Sequence, residues 1–147
     1  MSRRCFAVVA VASLVVAGAS CTRDKGSDEA FCKQIRRTPT LASVVADFDE
    51  ADPEELAIRL DAAREDYGRL RRSAPSGIRG DVGRVVDLAD EVIAAVDEHH
   101  EDPEAVADEV RKAVDRHDGA AEAAVKVAAY TKKSCGVDLN PVVDEGG

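Results

Sequence analysis

The sequence predicts an all-α domain over residues 29–136, a bundle of four to five helices in which one disulfide links the first and last helices. Apolar residues recur three and four positions apart along most of this range, which is the spacing of one helix face. Two segments, 52–54 and 102–104, both have the sequence Asp-Pro-Glu, which is typical of a helix start. Alternation of apolar and polar residues, the pattern of a strand, is almost absent.

Residues 1–20 have the three-part layout of a bacterial export signal. Arg3 and Arg4 precede an apolar run over 6–17, and the small residues Gly18-Ala19-Ser20 follow it. The run is shorter than the roughly 20 apolar residues that a transmembrane helix needs. The two arginines also fit a twin-arginine signal, so the export route stays open.

Cys21 directly follows the small residues and is the predicted site of lipid attachment. A diacylglycerol on this thiol would make Cys21 the first residue of the mature chain. The lipid would hold the protein at the extracytoplasmic face of the cell membrane. Plain secretion is the alternative, because Ala17-Gly18-Ala19 is also an A-x-A cleavage site, and cleavage there leaves Cys21 as a free thiol.

The cysteine count favours the lipid anchor. Of four cysteines, Cys5 is lost with the leader, and Cys21, Cys32 and Cys135 remain, which is an odd number for an exported chain. If Cys21 carries lipid, Cys32 and Cys135 form a pair that an oxidising compartment would join as a disulfide. Two buried free thiols are the alternative. A zinc site has less support, because the chain lacks the Cys-x-x-Cys spacing.

Residues 21–28 are mostly polar and predict a short lipidated tether before the fold. Ser27 or Asp28 then caps the first helix. Pro39 interrupts this helix, and a second, short helix is predicted over 40–48. The apolar residues of these two helices are Phe31, Cys32, Ile35, Leu41, Val44, Val45 and Phe48.

The third helix is predicted to begin at Asp52, where a capping acid, a proline and two further acids favour a helix N-terminus. A fourth helix follows the turn at 74–77. We expect it to begin late, near Asp81, because each glycine inside a helix costs about 1 kcal/mol relative to alanine. Close packing of a neighbouring helix against Gly80 and Gly83 is the alternative. The apolar stripe of the third helix comprises Leu56, Leu60, Ala63, Tyr67 and Leu70, and that of the fourth comprises Val82, Val85, Val86, Ala89, Val92, Ile93 and Val96.

The fifth helix begins at Asp102 by the same capping chemistry. The last helix is predicted from about Ala121 to Cys135, and Gly136 suits a left-handed C-terminal cap. Residues 137–147, which include Pro141 and two terminal glycines, are predicted to form a C-terminal tail.

The chain carries a net charge of −9 at neutral pH, and loss of the leader arginines makes the mature chain more negative. Such a protein repels nucleic acid and anionic lipid head groups, so nucleic acid is excluded as a partner. We therefore expect membrane attachment to depend on the lipid and not on a basic patch.

Two clusters have the composition of a metal site but not its spacing. The cluster His99-His100-Glu101-Asp102, which His117 could join, has two adjacent histidines that point about 100° apart on a helix. It is therefore interpreted as a solvated helix end. The acidic segment 47–52 starts like a calcium loop but has Ala51 and Asp52 where a ligand and a glycine are needed. No metal, cofactor or catalytic residue is predicted, and the usual motifs of hydrolases and nucleotide-binding enzymes are absent from the sequence. We expect no enzymatic activity.

The chain resembles uncharacterised small helical lipoproteins of actinobacterial type. The resemblance is carried by the leader through Cys21, Phe31-Cys32, Ala74-Pro75, Tyr130 and the segment Cys135-Gly136-Val137-Asp138-Leu139. It implies export, a lipid anchor, a cysteine pair and a helical fold. It implies no particular activity.

Two functions follow as hypotheses. The first is a lipid-anchored binding or scaffold module that presents helix faces to a protein of the cell envelope. The second is a lipoprotein that binds a small molecule or a metal, which would need a pocket between helices with converging polar groups. The first is preferred, because the small number of large side chains argues against a generous apolar pocket. The oligomeric state is left open.

Overall fold

The computed structural model describes residues 26–139, and within this range the chain forms six α-helices and no strand. The all-α prediction is confirmed. The helices are α1 (Asp28–Ile35), α2 (Leu41–Val44), α3 (Pro53–Ser73), α4 (Arg79–His99), α5 (Pro103–Arg116) and α6 (Ala120–Cys135). The predicted export signal and the lipid site at Cys21 lie outside the described residues, as does the segment 140–147.

The predicted starts of α1, α3 and α5 are confirmed by their hydrogen bonds. Oδ1 of Asp52 accepts the backbone N–H groups of Glu54 and Glu55, at 3.0 and 3.2 Å. Asp102 caps α5 in the same way, and the hydroxyl of Ser27 caps α1. These side chains satisfy N–H groups that a helix leaves without an internal partner.

The second helix is shorter than predicted. It ends at Val44 instead of continuing to Phe48, and Asp47 has a φ of 50° in the left-handed region. An acidic residue tolerates this conformation better than most residues, and it ends helical geometry. The apolar pattern of the segment nevertheless holds, because Val44 is buried and Phe48 packs against the core from a turn.

The fourth helix begins at Arg79, two residues before the predicted start, and it includes Gly80 and Gly83. A Cβ atom added at either glycine would meet nothing within 4 Å, so no neighbouring helix packs closely against them. This excludes the alternative explanation. The two glycines therefore only lower the helix propensity of the first two turns of α4.

The core lies around α4, which packs against α3, α5 and α6, while α1 packs against α3 and α6. The ring of Phe31 is fully buried and meets Tyr130 edge to face, with 5.9 Å between ring centroids. The predicted disulfide is confirmed: Cys32 of α1 is bonded to Cys135 of α6, with 5.1 Å between their Cα atoms. The first and last helices are therefore covalently joined.

The start of the predicted tail belongs to the fold. Val137 donates its N–H to the carbonyl oxygen of Thr131 at 3.2 Å, after Gly136 has turned the chain in the left-handed conformation. Val137 and Leu139 are half-buried and pack against the core. The described part of the chain contains no helix with the length and hydropathy to cross a membrane.

Candidate functional site

The two cysteines predicted to form a disulfide have a structural role. Each is 7% exposed, and their sulfur atoms are bonded to each other, so neither offers a thiolate for catalysis or for a metal. Arg36 reinforces the junction, because its guanidinium donates hydrogen bonds to the backbone carbonyl oxygens of both Cys32 and Cys135.

The histidines of the predicted cluster have different contact partners in the structure. His117 lies on Glu91 of α4, with 2.8 Å between Nε2 and Oε1, and Arg116 binds the same carboxylate. Hydrogen bonds from Arg116 and then His117 lower the pKa of Glu91. His100 instead lies 3.3 Å from the carbonyl oxygen of Asp97. Within 26–139, no group of three or more His, Cys, Asp or Glu side chains is placed to hold a metal ion.

The acidic segment 47–52 forms the turn into α3. The carbonyl oxygen of Asp47 accepts the N–H of Glu50 at 3.2 Å, and the carboxylate of Asp52 is occupied as the helix cap. The carboxylate of Asp52 therefore acts in local backbone structure.

An apolar groove of about 300 Å³ opens between α3, α4, α6 and the loop that follows α1. Its lining is aliphatic apart from two threonines and a tyrosine, and it includes no charged side chain. The residues that line it are Ile35, Thr38, Pro39, Thr40, Leu41, Tyr67, Leu70, Val85, Val86, Leu88, Ala89, Ala124, Val127, Ala128 and Leu139. The volume lies at the lower end of the range of about 300–1,000 Å³ that is typical of small-molecule sites. Sequence reasoning argued only against a generous pocket and did not find this groove.

Tyr67 is the one titratable side chain among the residues that line the groove. Its hydroxyl donates to the carbonyl oxygen of Pro39 at 3.2 Å and thereby holds the loop after α1 at the edge of the groove. Burial, with smaller contributions from Asp90 and Asp66, raises the pKa of Tyr67 to about 12. At neutral pH the groove therefore contains no ionised group.

Replacing this tyrosine, Tyr67→Phe, should lower the free energy of unfolding by about 1 kcal/mol at neutral pH, the typical contribution of one hydrogen bond. Because the pKa is raised from 10.0 on folding, the neutral hydroxyl stabilises the fold fully below pH 10. This stabilisation is lost as the pH rises toward about 12. Urea denaturation at neutral pH and above pH 10 checks this: the wild type should lose more stability at alkaline pH than Tyr67→Phe. Equal losses in the two proteins would contradict the assignment of this pH dependence to Tyr67, because the other tyrosine, Tyr130, is present in both proteins.

A second cavity, of about 860 Å³ and more open, lies between α1, the end of α3 and the start of α4. We call it the basic cleft. Its lining contains six cationic side chains and no acidic one, namely Lys33, Arg37, Arg69, Arg71, Arg72 and Arg79. The charge of this face is therefore opposite in sign to the net charge of the chain, and sequence reasoning missed it. The signal was present in residues 67–80, which contain four arginines and no acid.

The chain matches no protein-family model, no curated protein and no solved structure.

Proposed function

We propose that this protein is a lipid-anchored binding module at the extracytoplasmic face of the cell membrane, with a small, neutral, largely aliphatic molecule as its ligand. The observation that carries the proposal is the apolar groove between α3, α4 and α6. Its uncharged lining favours a ligand without charge, because a buried ion with no partner is strongly unfavourable. The groove thus moves the preference from a protein partner, favoured on sequence alone, to a small-molecule ligand.

The anchor is supported by the cysteine pairing. The disulfide accounts for Cys32 and Cys135, so Cys21 is the odd cysteine of the chain that follows the leader. Lipid on its thiol explains that odd number and agrees with the small residues before it. We therefore propose Cys21 as the lipidated first residue of the mature protein.

A binding role without catalysis is supported by the chemistry of the groove. The described residues that line it supply no carboxylate, imidazole or free thiol, and the hydroxyl of Tyr67 is engaged with Pro39. General acid–base and nucleophilic catalysis depend on such groups within reach of a bound substrate.

A protein of the cell envelope as partner remains the second hypothesis. The most exposed large apolar side chains in the described range are Ile58, Val114 and Val125, which lie on three different helices. Single exposed side chains of this kind are ordinary on a protein surface, whereas docking surfaces are contiguous patches. The apolar groove is therefore the better-supported site.

The anchor is tested by the intact mass of protein extracted from its native membrane. We expect a chain that begins at Cys21 and carries a lipid-sized increment, with two further alkyl groups added only after reduction. A lipid-free chain that begins at Ser20 would overturn the anchor.

The apolar groove is tested with 1-octanol as an uncharged aliphatic probe. The probe should raise the melting temperature of the wild type, because a ligand that binds only the folded state stabilises it by RT ln(1 + [L]/Kd). Ala124→Phe fills the groove from α6 and should abolish this rise. Ala129→Phe is the matched control, because Ala129 is exposed on the same helix and does not line the groove.

The readout in this experiment is the rise caused by the probe and not the melting temperature itself, so a change in basal stability does not obscure it. An absent rise in the wild type, or an equal rise in Ala124→Phe, would overturn the proposed ligand class. A dimer that Ala124→Phe converts to a monomer would also overturn it, because the groove would then be a surface for self-association.

A further inference from the structure

The basic cleft combines four cationic side chains that have no carboxylate partner among the residues of 26–139. Lys33, Arg37, Arg72 and Arg79 make no ion pair there, whereas Arg69 and Arg71 are paired with acids. Cations without an acidic partner repel each other when they share a surface, and an anion bound between them relieves that repulsion. The cleft is therefore electrostatically suited to an anionic ligand.

Local structure places these cationic side chains around the same cleft. Lys33 and Arg37 lie four residues apart on one side of α1 and the turn that follows it. The acid Asp28 of the same helix is held away from the cleft, because its carboxylate accepts a hydrogen bond from the hydroxyl of Tyr130 at 2.7 Å. Glu29, the other acid in the first turn of α1, is not among the residues that line the cleft.

The opposite wall is held by backbone contacts. Arg79 donates from Nε and Nη2 to the carbonyl oxygen of Ala74, at 3.1 and 2.9 Å, so its guanidinium is oriented before any ligand binds. The Nε atom of Arg71, which also lines the cleft, is buried without a hydrogen-bond partner in the described residues. Arginine forks match the oxygen geometry of phosphate groups. The cleft thus contains one guanidinium that is held in place before a ligand binds, beside cations without an acidic partner in the described residues.

The position of the basic cleft relative to the chain start points to the source of the phosphate. Gly26 lines the cleft, and a Cβ atom there would overlap the backbone carbonyl of Ser73, so only glycine permits this close approach at the end of α3. Gly26 follows Cys21 by five residues, which span at most roughly 18 Å when extended. A lipid on Cys21 would keep the cleft within that distance of the membrane surface.

We propose that the basic cleft binds the phosphate of anionic phospholipid head groups and orients the domain with the end of α3 toward the membrane. This step rests on the proposed lipid anchor, which supplies a high local concentration of head groups. The net charge of the chain predicts repulsion from anionic head groups, whereas this proposal predicts attraction. The reason is that a head group in the cleft interacts mainly with the nearest charges, because more distant charges are screened within about 10 Å.

Vesicle flotation tests the basic cleft independently of the anchor. The mature chain from residue 21 with Cys21→Ser cannot carry lipid and retains every described residue. We expect it to float with vesicles of equal parts phosphatidylglycerol and phosphatidylcholine at about 0.1 M salt, where distant charges are screened, and not with phosphatidylcholine alone. Arg37→Gln with Arg72→Gln should weaken this binding by about tenfold or more, given the typical contribution of a basic residue near an anionic surface.

Two matched variants distinguish a cleft from bulk charge. Arg111→Gln with Lys112→Gln removes the same charge from α5, away from the cleft, and should change binding by less than about twofold. Arg37→Lys with Arg72→Lys keeps the charge and should retain most of the binding. Circular dichroism of each variant checks that the helices are intact.

Several results would overturn the proposal. They are equal flotation with both kinds of vesicle, equal loss in the α5 control, and full displacement by inorganic phosphate at constant ionic strength, which would assign the cleft to a free anion. Loss of lipid at Cys21 in the mass measurement, with flotation intact, would overturn the anchor alone. The two proposals therefore fail separately.

Discussion

Removal of the disulfide, by Cys32→Ala together with Cys135→Ala, should lower the free energy of unfolding by about 4.7 kcal/mol. The bridge closes a loop with a sequence separation of 103 residues, and the chain-entropy estimate for a loop of about 100 residues has this size. Urea denaturation of the double variant and the wild type measures the difference. A loss below about 1 kcal/mol would show that packing alone joins α1 to α6.

Controls separate the disulfide from side effects of the substitutions. The wild type with reductant should lose a similar amount of stability, because reduction opens the same loop without changing a side chain. Amide hydrogen exchange should show the largest local effect in α1, which has only eight residues and depends on its contacts with α3 and α6. Exchange that rises equally in all helices would contradict this local assignment.

Truncation of the central aromatic side chain, Phe31→Ala, should cost about 3–5 kcal/mol, the usual range for a buried phenylalanine. Its ring is 0% exposed and meets Tyr130 edge to face, so the variant loses both buried area and an aromatic contact. Denaturation with urea is again the measurement, at constant pH. A cost below about 2 kcal/mol would indicate that the surrounding helices collapse into the space.

Phe48 supplies the matched control for this substitution. It is half-buried and packs against the core from the turn after α2, so Phe48→Ala should cost clearly less than Phe31→Ala. Phe31→Leu keeps much of the volume and should also cost less, about 1.5 kcal/mol or below. Equal effects of Phe31→Ala and Phe48→Ala would contradict the central position of Phe31 in the core.

The disulfide and the Phe31 ring should not act independently. Cys32 follows Phe31 on α1, and Tyr130 precedes Cys135 on α6, so both interactions join the same two helices. Substitutions of residues that share a contact commonly show interaction energies of about 0.5–3 kcal/mol. The effects of the two changes, when combined, should therefore depart from their sum.

The parts of the fold that local chemistry controls were predictable. Asp52 and Asp102 start helices because a carboxylate next to free N–H groups and a proline at the first position act within one helical turn. The stripe from Leu56 to Leu70 is buried as predicted, since helical spacing by itself places these residues on one face. The disulfide was predictable because it followed from counting the cysteines of a chain that begins with a predicted export signal.

The end of α2 and the start of α4 were predicted less well. The apolar residues after Val44 have helical spacing, yet the chain turns at Asp47 to reach the start of α3. Gly80 and Gly83 are helical because the burial of Val82 and Val86 outweighs a local propensity cost of about 1 kcal/mol for each glycine. In both places tertiary packing outweighs a weak local preference.

The sequence by itself determined the helical class, the capping residues, the buried stripes and the cysteine pair, because each of these depends on neighbours within a few positions or on a simple count. Tertiary structure assembled both candidate sites, although the arginines of residues 67–80 were visible in the sequence. The apolar groove needs residues from α3, α4 and α6, and the basic cleft brings Lys33 beside Arg72 and Arg79 from distant parts of an acidic chain. Net charge and periodicity are averages along the chain, whereas a binding site depends on which side chains the fold places within a few ångströms of one another.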